Sequence, residues 1–321
     1  MGVDLIITDA AHVDHAAVDD YTLDCAWGED ENDFELTIGR VIPSGAYVYL
    51  DGSECGGIVD GLRDKLDRGG SVLTYSGRTW HGILAGKIIQ PDVGQDYLTV
   101  SGDSRTVISS LMDRIGLGPL FTAVAAPDGE AHTIAAYQFD RYVDAYTGMR
   151  KMCAASGLKL RLAYRSGHVE TWAEPIGHYG DAIDSDLLDF DVTRTWRPVN
   201  HLIGLGKGDL KDRVVSHWYA DASGRVSQRQ TLTGVDEITQ TYDYSNAEAD
   251  ELAKNTREKL EELQSEGDVS VTIRDQTSPM LDVGDTATAR DNITGITVNA
   301  TVTKKIVKAS RGVLSVDYEA S

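Results

Sequence analysis

Residues 280–318 read MLDVGDTATARDNITGITVNATVTKKIVKASRGVLSVDY. Between Ile296 and Val302 the alternation is strict. Ile296, Val298, Ala300 and Val302 share one face, and Thr297, Asn299, Thr301 and Thr303 share the other. A two-residue period of this kind predicts a half-buried strand with a wet face. Turn signals bracket it, Gly284-Asp285 and Asp291-Asn292 before and Arg311-Gly312 after. Leu314, Val316 and Tyr318 repeat the alternation in a last strand. Short strands in a meander, with Thr and Asp on the exposed side, predict a small antiparallel barrel or sandwich. The stretch holds no nucleophile, metal cluster or phosphate loop, and so points to assembly.

Working outward, the chain of 321 residues has room for two or three domains. Its hydrophobic (41%) and charged (25%) fractions are those of a globular protein. No apolar run approaches the ~18–20 residues that a membrane span needs. The start, MGVDLIITDAAHVD, lacks the basic segment and apolar core of a signal peptide, so synthesis and retention in a cytoplasm are expected. Cys25, Cys55 and Cys153 are odd in number and far apart, with no CxxC pair, and read as buried small hydrophobes. The outlying quantity is a net charge of −21. Arg40 is the only basic residue before Arg63. Such a surface disfavours specific nucleic-acid binding and keeps the chain soluble.

The first hundred residues read as strands: 3–8, 22–27, 33–39, 46–52 and 72–77, each rich in β-branched and aromatic residues. GRTWHGILAGKIIQP (77–91) breaks the alternation as a short helical turn leading to a strand that ends near Pro91. A helix follows over 103–115, with Val107, Ile108, Leu111, Met112 and Ile115 in one stripe and Gly116 and Gly118 as stops. A second, at about 140–156, places Tyr142, Val143, Tyr146, Met149 and Cys153 on one side and ends at Gly157. LKLRLAY (158–164) and HVETWAE (168–174) form a hairpin about Ser166-Gly167. Strands resume after Pro175, with Phe190, Val192 and Trp196 ahead of an apolar HLIGLG run. A further hairpin turns at Ala222-Ser223-Gly224. The clearest helix is 246–266, with Ser245 and Glu248 as a capping box. Ala249, Leu252, Thr256, Leu260 and Leu263 run down one side, and Gly267 closes it.

The search for chemistry returns little. His12 and His15 about Asp14 show no i, i+4 pairing and no third ligand, and read as loop residues. GLGKGD (204–209) lacks the spacer of a phosphate loop and has Gly208 where Ser or Thr should bind magnesium. No HExxH or GxSxG occurs. Asp140, Asp144, Asp181, Asp184 and Asp186 read as solvated or capping carboxylates. Trp80, Trp172, Trp196 and Trp218 read as core or interface positions in preference to a sugar-stacking platform. No catalytic, metal or cofactor residue is assigned.

Three segments, GRTWHGILAGKIIQP (77–91), RTWRPVNHLIGLGKG (194–208) and LDVGDTATARDNITGITVNATVTKKIVK (281–308), together with the order of parts, resemble the tail-tip hub proteins of long-tailed bacteriophages. These baseplate hubs, or tail-associated proteins, are similar to the central hub of contractile-tailed phages. The most specific piece is the Gly-Asp turn with its Asp-Asn-x-x-Gly hairpin: Leu281, Gly284, Asp285, Asp291, Asn292 and Gly295. The resemblance implies a predominantly β, α+β chain with two tail-tube-like antiparallel β-barrels. Residues 1–101 would be the first barrel, 102–184 an α+β insertion, and 185–321 the second barrel with helix 246–266. It implies a non-enzymatic homotrimer that presents pseudo-sixfold symmetry to hexameric rings. Its partners would be distal tail and tail-tube ring proteins, the tape-measure protein, and tail fibre or receptor-binding proteins. Viral DNA would pass through its lumen without specific binding. The protein would assemble in the host bacterial cytoplasm and reside in the virion, at the tail tip. Ending at Ser321 just after the last strand, the chain is expected to carry no appended enzyme. The competing readings are a carbohydrate-binding tail module and a carboxylate-dependent cell-wall glycan hydrolase.

Overall fold

A computed structural model describes residues 4–67, 70–180, 188–193, 197–265, 268–273, 281–290, 297–310 and 313–321. The chain forms two compact units, one of residues 1–190 with 271–321 and one of residues 191–270. Strand outweighs helix in both, so the α+β, predominantly β class stands. Among the described residues no helix is long and apolar enough to cross a membrane.

The larger unit opens with β1 (Leu5–Thr8), β2 (Asp14–Val18), β3 (Tyr21–Gly28), β4 (Asp33–Ile38), β5 (Tyr47–Leu50), β6 (Gly56–Asp67) and β7 (Gly70–Thr79). The short helix α1 (Trp80–Ala85) follows, with Thr79 Oγ1 accepting from the Gly82 amide. Next come β8 (Thr99–Asp103), α2 (Ser104–Arg114), β9 (Phe121–Ala123), β10 (Thr133–Gln138), α3 (Ala145–Ala154), β11 (Leu158–Arg165), β12 (His168–Pro175) and β13 (His178–Tyr179). Strand β14 (Leu188–Thr193) leads out of this unit. The smaller unit holds β15 (His201–Leu205), β16 (Val215–Ala220), β17 (Val226–Ser227), β18 (Thr239–Asp243) and α4 (Ala249–Ser265). Strand β19 (Asp268–Ile273) leads back, and β20 (Thr286–Arg290), β21 (Thr297–Ser310) and β22 (Val313–Ala320) complete the larger unit.

Its sheet runs in the order β14-β19-β22-β21-β3-β4-β7-β6-β5-β1-β2, with β20 beside the first half of β21 and β13 beside β20. Strand β21 is the joint. Thr297–Thr301 pair with β20, and Lys304–Ser310 pair with β22 on one side and with Gly28–Thr22 of β3 on the other. Among the described residues the path is open, and no barrel closes within it. The alternation read from the sequence holds: Val298, Ala300 and Val302 are buried, and Thr297, Asn299 and Thr301 are exposed. Ile296, Phe190, Val192 and Trp196 lie outside the residues whose side chains are described, as does the Arg311-Gly312 turn.

The division into units differs from the expected 1–101, 102–184 and 185–321. Residues of the insertion share one core with the first strands: Tyr47, Tyr49 and Trp80 pack with Ile108, Leu111, Phe121, Tyr146, Met149 and Tyr164. Trp80 stacks on Tyr164 at 4.9 Å and meets Tyr47 edge-on at 5.4 Å. The last strands share a second core with β1–β7, where Val307, Ala309 and Val316 join Leu23, Cys25, Leu36 and Tyr75. Burial of one apolar face against another ties these segments together, whatever their separation along the chain.

Local readings differ in instructive places. Strand β2 and the long β6 are additional to the expected strands. The residues after α1 make a single bridge, Ile88 to Asp144, where a strand was expected. Helix α3 begins at Ala145, because Asp144 caps it by accepting from the Thr147 amide at 2.9 Å. Helix α4 begins at Ala249, so Ser245 and Glu248 make no capping box; the Glu248 carboxylate instead meets Lys207 at 2.5 Å. Gly267 is outside the described residues.

In the smaller unit α4 lies on the four-stranded sheet β17-β16-β15-β18. Leu252, Thr256 and Leu260 are buried, while Ala249 is exposed. The glycines of GLGKG explain the close fit. A Cβ on Gly204 would stand 2.0 Å from Thr256 Oγ1, and one on Gly206 2.9 Å from Leu252 Cδ2. The two glycines, one in β15 and one just past its end, are two residues apart and clear one face for the helix.

A buried ion network as the candidate functional site

The LKLRLAY strand places its leucines on one face and Lys159 and Arg161 on the other, yet nearly every position is buried. Charges inside a core must be paired. Hairpin register supplies the first partners, because Lys159 stands opposite Glu174 and Arg161 opposite Trp172. The Trp172 indole donates to Glu174 Oε2 at 2.7 Å and has the Arg161 guanidinium 5.7 Å from its ring centre.

The second set comes from the Gly-Asp turn. Gly284 has φ +100°, a conformation open to glycine and strained for side-chain residues, and it bends the chain back on itself. The Asp285 amide donates to the Asp282 carbonyl, and the Asp285 carboxylate accepts from the amides of Asp282 (2.9 Å) and Gly177 (2.7 Å). Asp285 is fully buried, and Lys159 Nζ lies 2.8 Å from each of its oxygens. Asp282 meets Lys305 Nζ at 2.7 Å, Lys159 Nζ at 3.3 Å and the Arg161 guanidinium. Glu54, in the turn after β5, accepts from Arg161 Nε at 3.1 Å and from the Leu162 amide at 3.3 Å. Lys159, Arg161 and Lys305 therefore face Glu54, Glu174, Asp282 and Asp285, leaving one negative charge in excess.

Burial alone would lower the Lys159 ammonium pKa, but the Asp285 hydrogen bond and the Asp282 and Asp285 charges raise it above the ordinary lysine value. Burial would likewise raise the Asp282 carboxyl, and the charges of Lys305, Arg161 and Lys159 hold it below the usual carboxylate range. His81 sits at the margin, 4.0 Å from Glu54, fully enclosed between Trp27 and Tyr146. Burial, and then the charges of Arg161, Arg150 and Lys305, push its pKa well below 6.5, so the ring is neutral. A cavity of about 310 Å³ reaches Arg161 and Lys305 from the side of Trp27, Trp172 and Leu314.

The charged members of the network are all engaged with one another, while His81 Nδ1 at its margin is buried and unpartnered. The network binds the 158–175 hairpin, the turn after β5, the 281–285 turn and strand β21 into one body. Mutual attraction of about 4 kcal/mol per close pair at an effective dielectric of 20 opposes a desolvation cost of several kcal/mol per ion.

Of the motif residues, Leu281, Gly284 and Asp285 stand in this turn, with Leu281 and Asp285 buried. Asp291, Asn292 and Gly295 lie outside the described residues. Glu54, Lys159, Arg161, Glu174 and Lys305 are additional to the sequence reading. For Lys159, Arg161 and Lys305 the signal is charge inside the apolar strands LKLRLAY and TKKIVK; Glu54 and Glu174 carry none of that kind. Lys304, beside Lys305, is also buried and reaches Asp30, Glu31 and Glu319 at 2.9–3.3 Å.

The remaining candidates are dispersed. His12 stacks on Tyr47 at 3.9 Å, and Asp14 accepts from the Tyr49 hydroxyl at 2.7 Å. Trp80 and Trp172 are buried, Trp218 is half-buried, and Trp196 is outside the described residues. Asp140 is exposed, 3.6 Å from Lys151; Asp181, Asp184 and Asp186 are outside the described residues. All three cysteines are buried thiols.

No protein-family model and no curated protein matches the chain. Solved structures similar to it do exist. A tail protein from Neisseria meningitidis is 16% identical at TM-score 0.47, over 100% of this chain and 96% of that one. Prophage tail protein gp18 from Listeria monocytogenes is 13% identical at TM-score 0.49, over 98% and 94%. A chain of the phage p2 virion baseplate in its activated conformation is 9% identical at TM-score 0.47, over 99% and 98%.

Proposed function

We propose that the protein is a structural hub at the tip of a bacteriophage tail, without enzymatic activity. In this reading three copies form a ring that joins hexameric tail rings to the tip and encloses the channel through which DNA leaves. The observation that carries the reading is β21. One strand is hydrogen-bonded to β22 and to β3, so the first and last β segments of the chain share one continuous sheet. A polypeptide that holds two tube-like β units edge to edge supplies two sixths of a ring, and three such chains imitate a six-membered one. The first unit corresponds to β1–β7. The second corresponds to β20–β22 with the strands beside them, and residues 197–265 are an excursion from it.

Two further features support this reading. Asp24 on β3 stands directly opposite Glu35 on β4, both exposed, with Lys308 of β21 opposite Asp24 on its other side. Like charges so placed cost a sheet about 0.2–1 kcal/mol. A wall that must let phosphates slide past benefits from that repulsion, which acts within roughly 8 Å at physiological salt. The interior charges, by contrast, are matched within the fold. The sequence resemblance names the same class of protein as the tail and baseplate structures to which the chain is similar. Tail-tube ring proteins, the tape-measure protein and fibre proteins are its expected neighbours, and the virion its expected place.

Mass photometry and electron microscopy of the purified protein test the proposal. Trimers with a central opening and sixfold-like inner contour are expected, alone or on addition of tail-tube protein. A monomer at every concentration, with or without tube protein, or release of sugar from host cell wall, would overturn it.

A further inference from the structure

Strand β15 of the smaller unit turns Leu202 and Gly204 to α4, and its other face carries His201 and Ile203. Cross-strand register puts Tyr219 and His217 of β16 beside them on one flank, and Thr239 of β18 on the other. His201 is only 8% exposed and stacks on Tyr219 at 4.3 Å, whereas His217 is exposed. The two imidazoles meet through nitrogen, His201 Nε2 lying 2.9 Å from His217 Nδ1. At the other end of the buried ring, Nδ1 lies 2.7 Å from Glu237 Oε1, which also accepts from Thr239 Oγ1 at 3.3 Å. The hydrogen bond from His201 holds the Glu237 carboxyl below its ordinary range, so the group is ionised and can only accept. In the neutral ring Nδ1 of His201 therefore carries the hydrogen, and Nε2 offers its lone pair towards His217.

A carboxylate behind one nitrogen and a lone pair on the other is the arrangement that fixes a histidine for metal binding. Two nitrogens 2.9 Å apart, each about 2.0–2.1 Å from one ion, subtend an angle of about 90° at it. That is the angle between neighbouring ligands in square-planar and tetragonal sites, which suit Cu2+ and Ni2+, and Cu2+ is the tighter of the two. Seating the ion moves the hydrogen of His217 to Nε2 and turns its exposed ring until the Nδ1 lone pair meets the metal. The buried ring is the anchor, the exposed ring the way in, and Glu237 the outer support. Among the described residues no third histidine, cysteine or carboxylate completes the set, so water fills the remaining positions. We propose that His201 Nε2 and His217 Nδ1 form a binding site for a divalent transition ion of tetragonal preference, Cu2+ above Ni2+, with Glu237 positioning His201. The assignment lies within the smaller unit and is independent of the ring-forming reading above.

Calorimetric titration of the full chain with Cu2+, using glycine as a competing ligand, tests the site together with electron paramagnetic resonance of the loaded protein. The wild type should take up one tightly held Cu2+ per chain, with couplings to two imidazole nitrogens. His217→Ala should bind at least tenfold more weakly and lose one of those couplings. Glu237→Ala should bind about 10–100-fold more weakly yet keep both couplings at saturating metal, because it removes the support and leaves the ligands. Thermal melting of each variant without metal controls for folding. Equal affinity in the wild type and a folded His217→Ala would place the ion on other surface groups and overturn the site, as would a wild type that fails to compete with glycine. Should a variant unfold, the wild-type spectrum decides alone: fewer than two imidazole couplings on the tightest ion overturns the assignment.

Discussion

The ammonium of Lys159 lies equidistant, 2.8 Å, from both oxygens of the fully buried Asp285 carboxylate, across 126 positions of sequence. Removing one member leaves the other charged in a dry site. Asp285→Asn should therefore cost about 3–5 kcal/mol in denaturant unfolding. Lys159→Met combined with Asp285→Leu should recover part of that loss, since the double variant leaves no such charge stranded. A loss under about 1 kcal/mol for Asp285→Asn would mean that the pair is not what joins these segments.

His81 sets a pH dependence. Its folded pKa lies well below 6.5 because the ring is buried near cations. Above pH 6.5 the ring is neutral in both states and contributes no slope. As the pH falls below 6.5, the unfolded chain takes up a proton that the folded chain refuses, so stability declines. His81→Phe, which keeps a ring against Trp27, should flatten the stability curve between pH 6.5 and 5. Identical slopes for variant and wild type would show that the proton uptake belongs elsewhere. The Asp282 contribution falls lower, present above pH 3.8 and lost as the pH drops through the depressed folded value.

Gly204→Ala places a methyl 2.0 Å from Thr256 Oγ1. Overpacking of this kind costs about 1–3 kcal/mol, and amide exchange should quicken in α4 and β15 while β1–β7 are unaffected. Adding Thr256→Ala should restore much of the protection. Unchanged exchange in the single variant would show that the helix has room to shift.

The thiols should be inert. Burial pushes Cys153 up to about 12, and Cys25, buried beside Cys55, is raised well above the ordinary thiol. At pH 8 a thiol reagent should modify none of the three until denaturant unfolds the chain. Rapid labelling of any of them in the native protein would contradict the packing described.

Replacing Asp24 and Glu35 by Lys would reverse the charge of this exposed cross-strand pair. If that face lines the channel, DNA ejection should slow while particles still assemble. Ejection at the wild-type rate would place these residues away from the DNA path.

Much of the fold could be read from the chain because most elements obey one period. Helix α2, the 158–175 hairpin and the Val298–Val302 face lie where their patterns put them. Strand β6 was hidden because glycines and charges break up its apolar residues, GGIVDGLRDKLD; a Cβ on Gly57 would sit 2.0 Å from the Arg78 carbonyl oxygen, so packing demanded a residue that strand patterns avoid. Strand β2, at the end of the sheet with half its residues polar, gave no apolar period. At the network, Asp285 and Gly284 were visible as a turn, but their function as a seat for Lys159 depends on contacts between distant segments. Lys304 and Lys305 interrupt the alternation they sit in, and in hindsight that interruption marks where β21 turns from a wet face to buried charge.

The partnership of Thr22 with Ser310, 288 positions apart, also has a temporal meaning. At translation rates of about 5–20 residues per second, strand β3 waits roughly 14–58 s for its neighbour to leave the ribosome. During that interval the nascent protein carries an unpaired strand edge, a template for pairing with other chains. Completion of the sheet thus acts as a clock: this edge of β3 is covered only once β21 has been made.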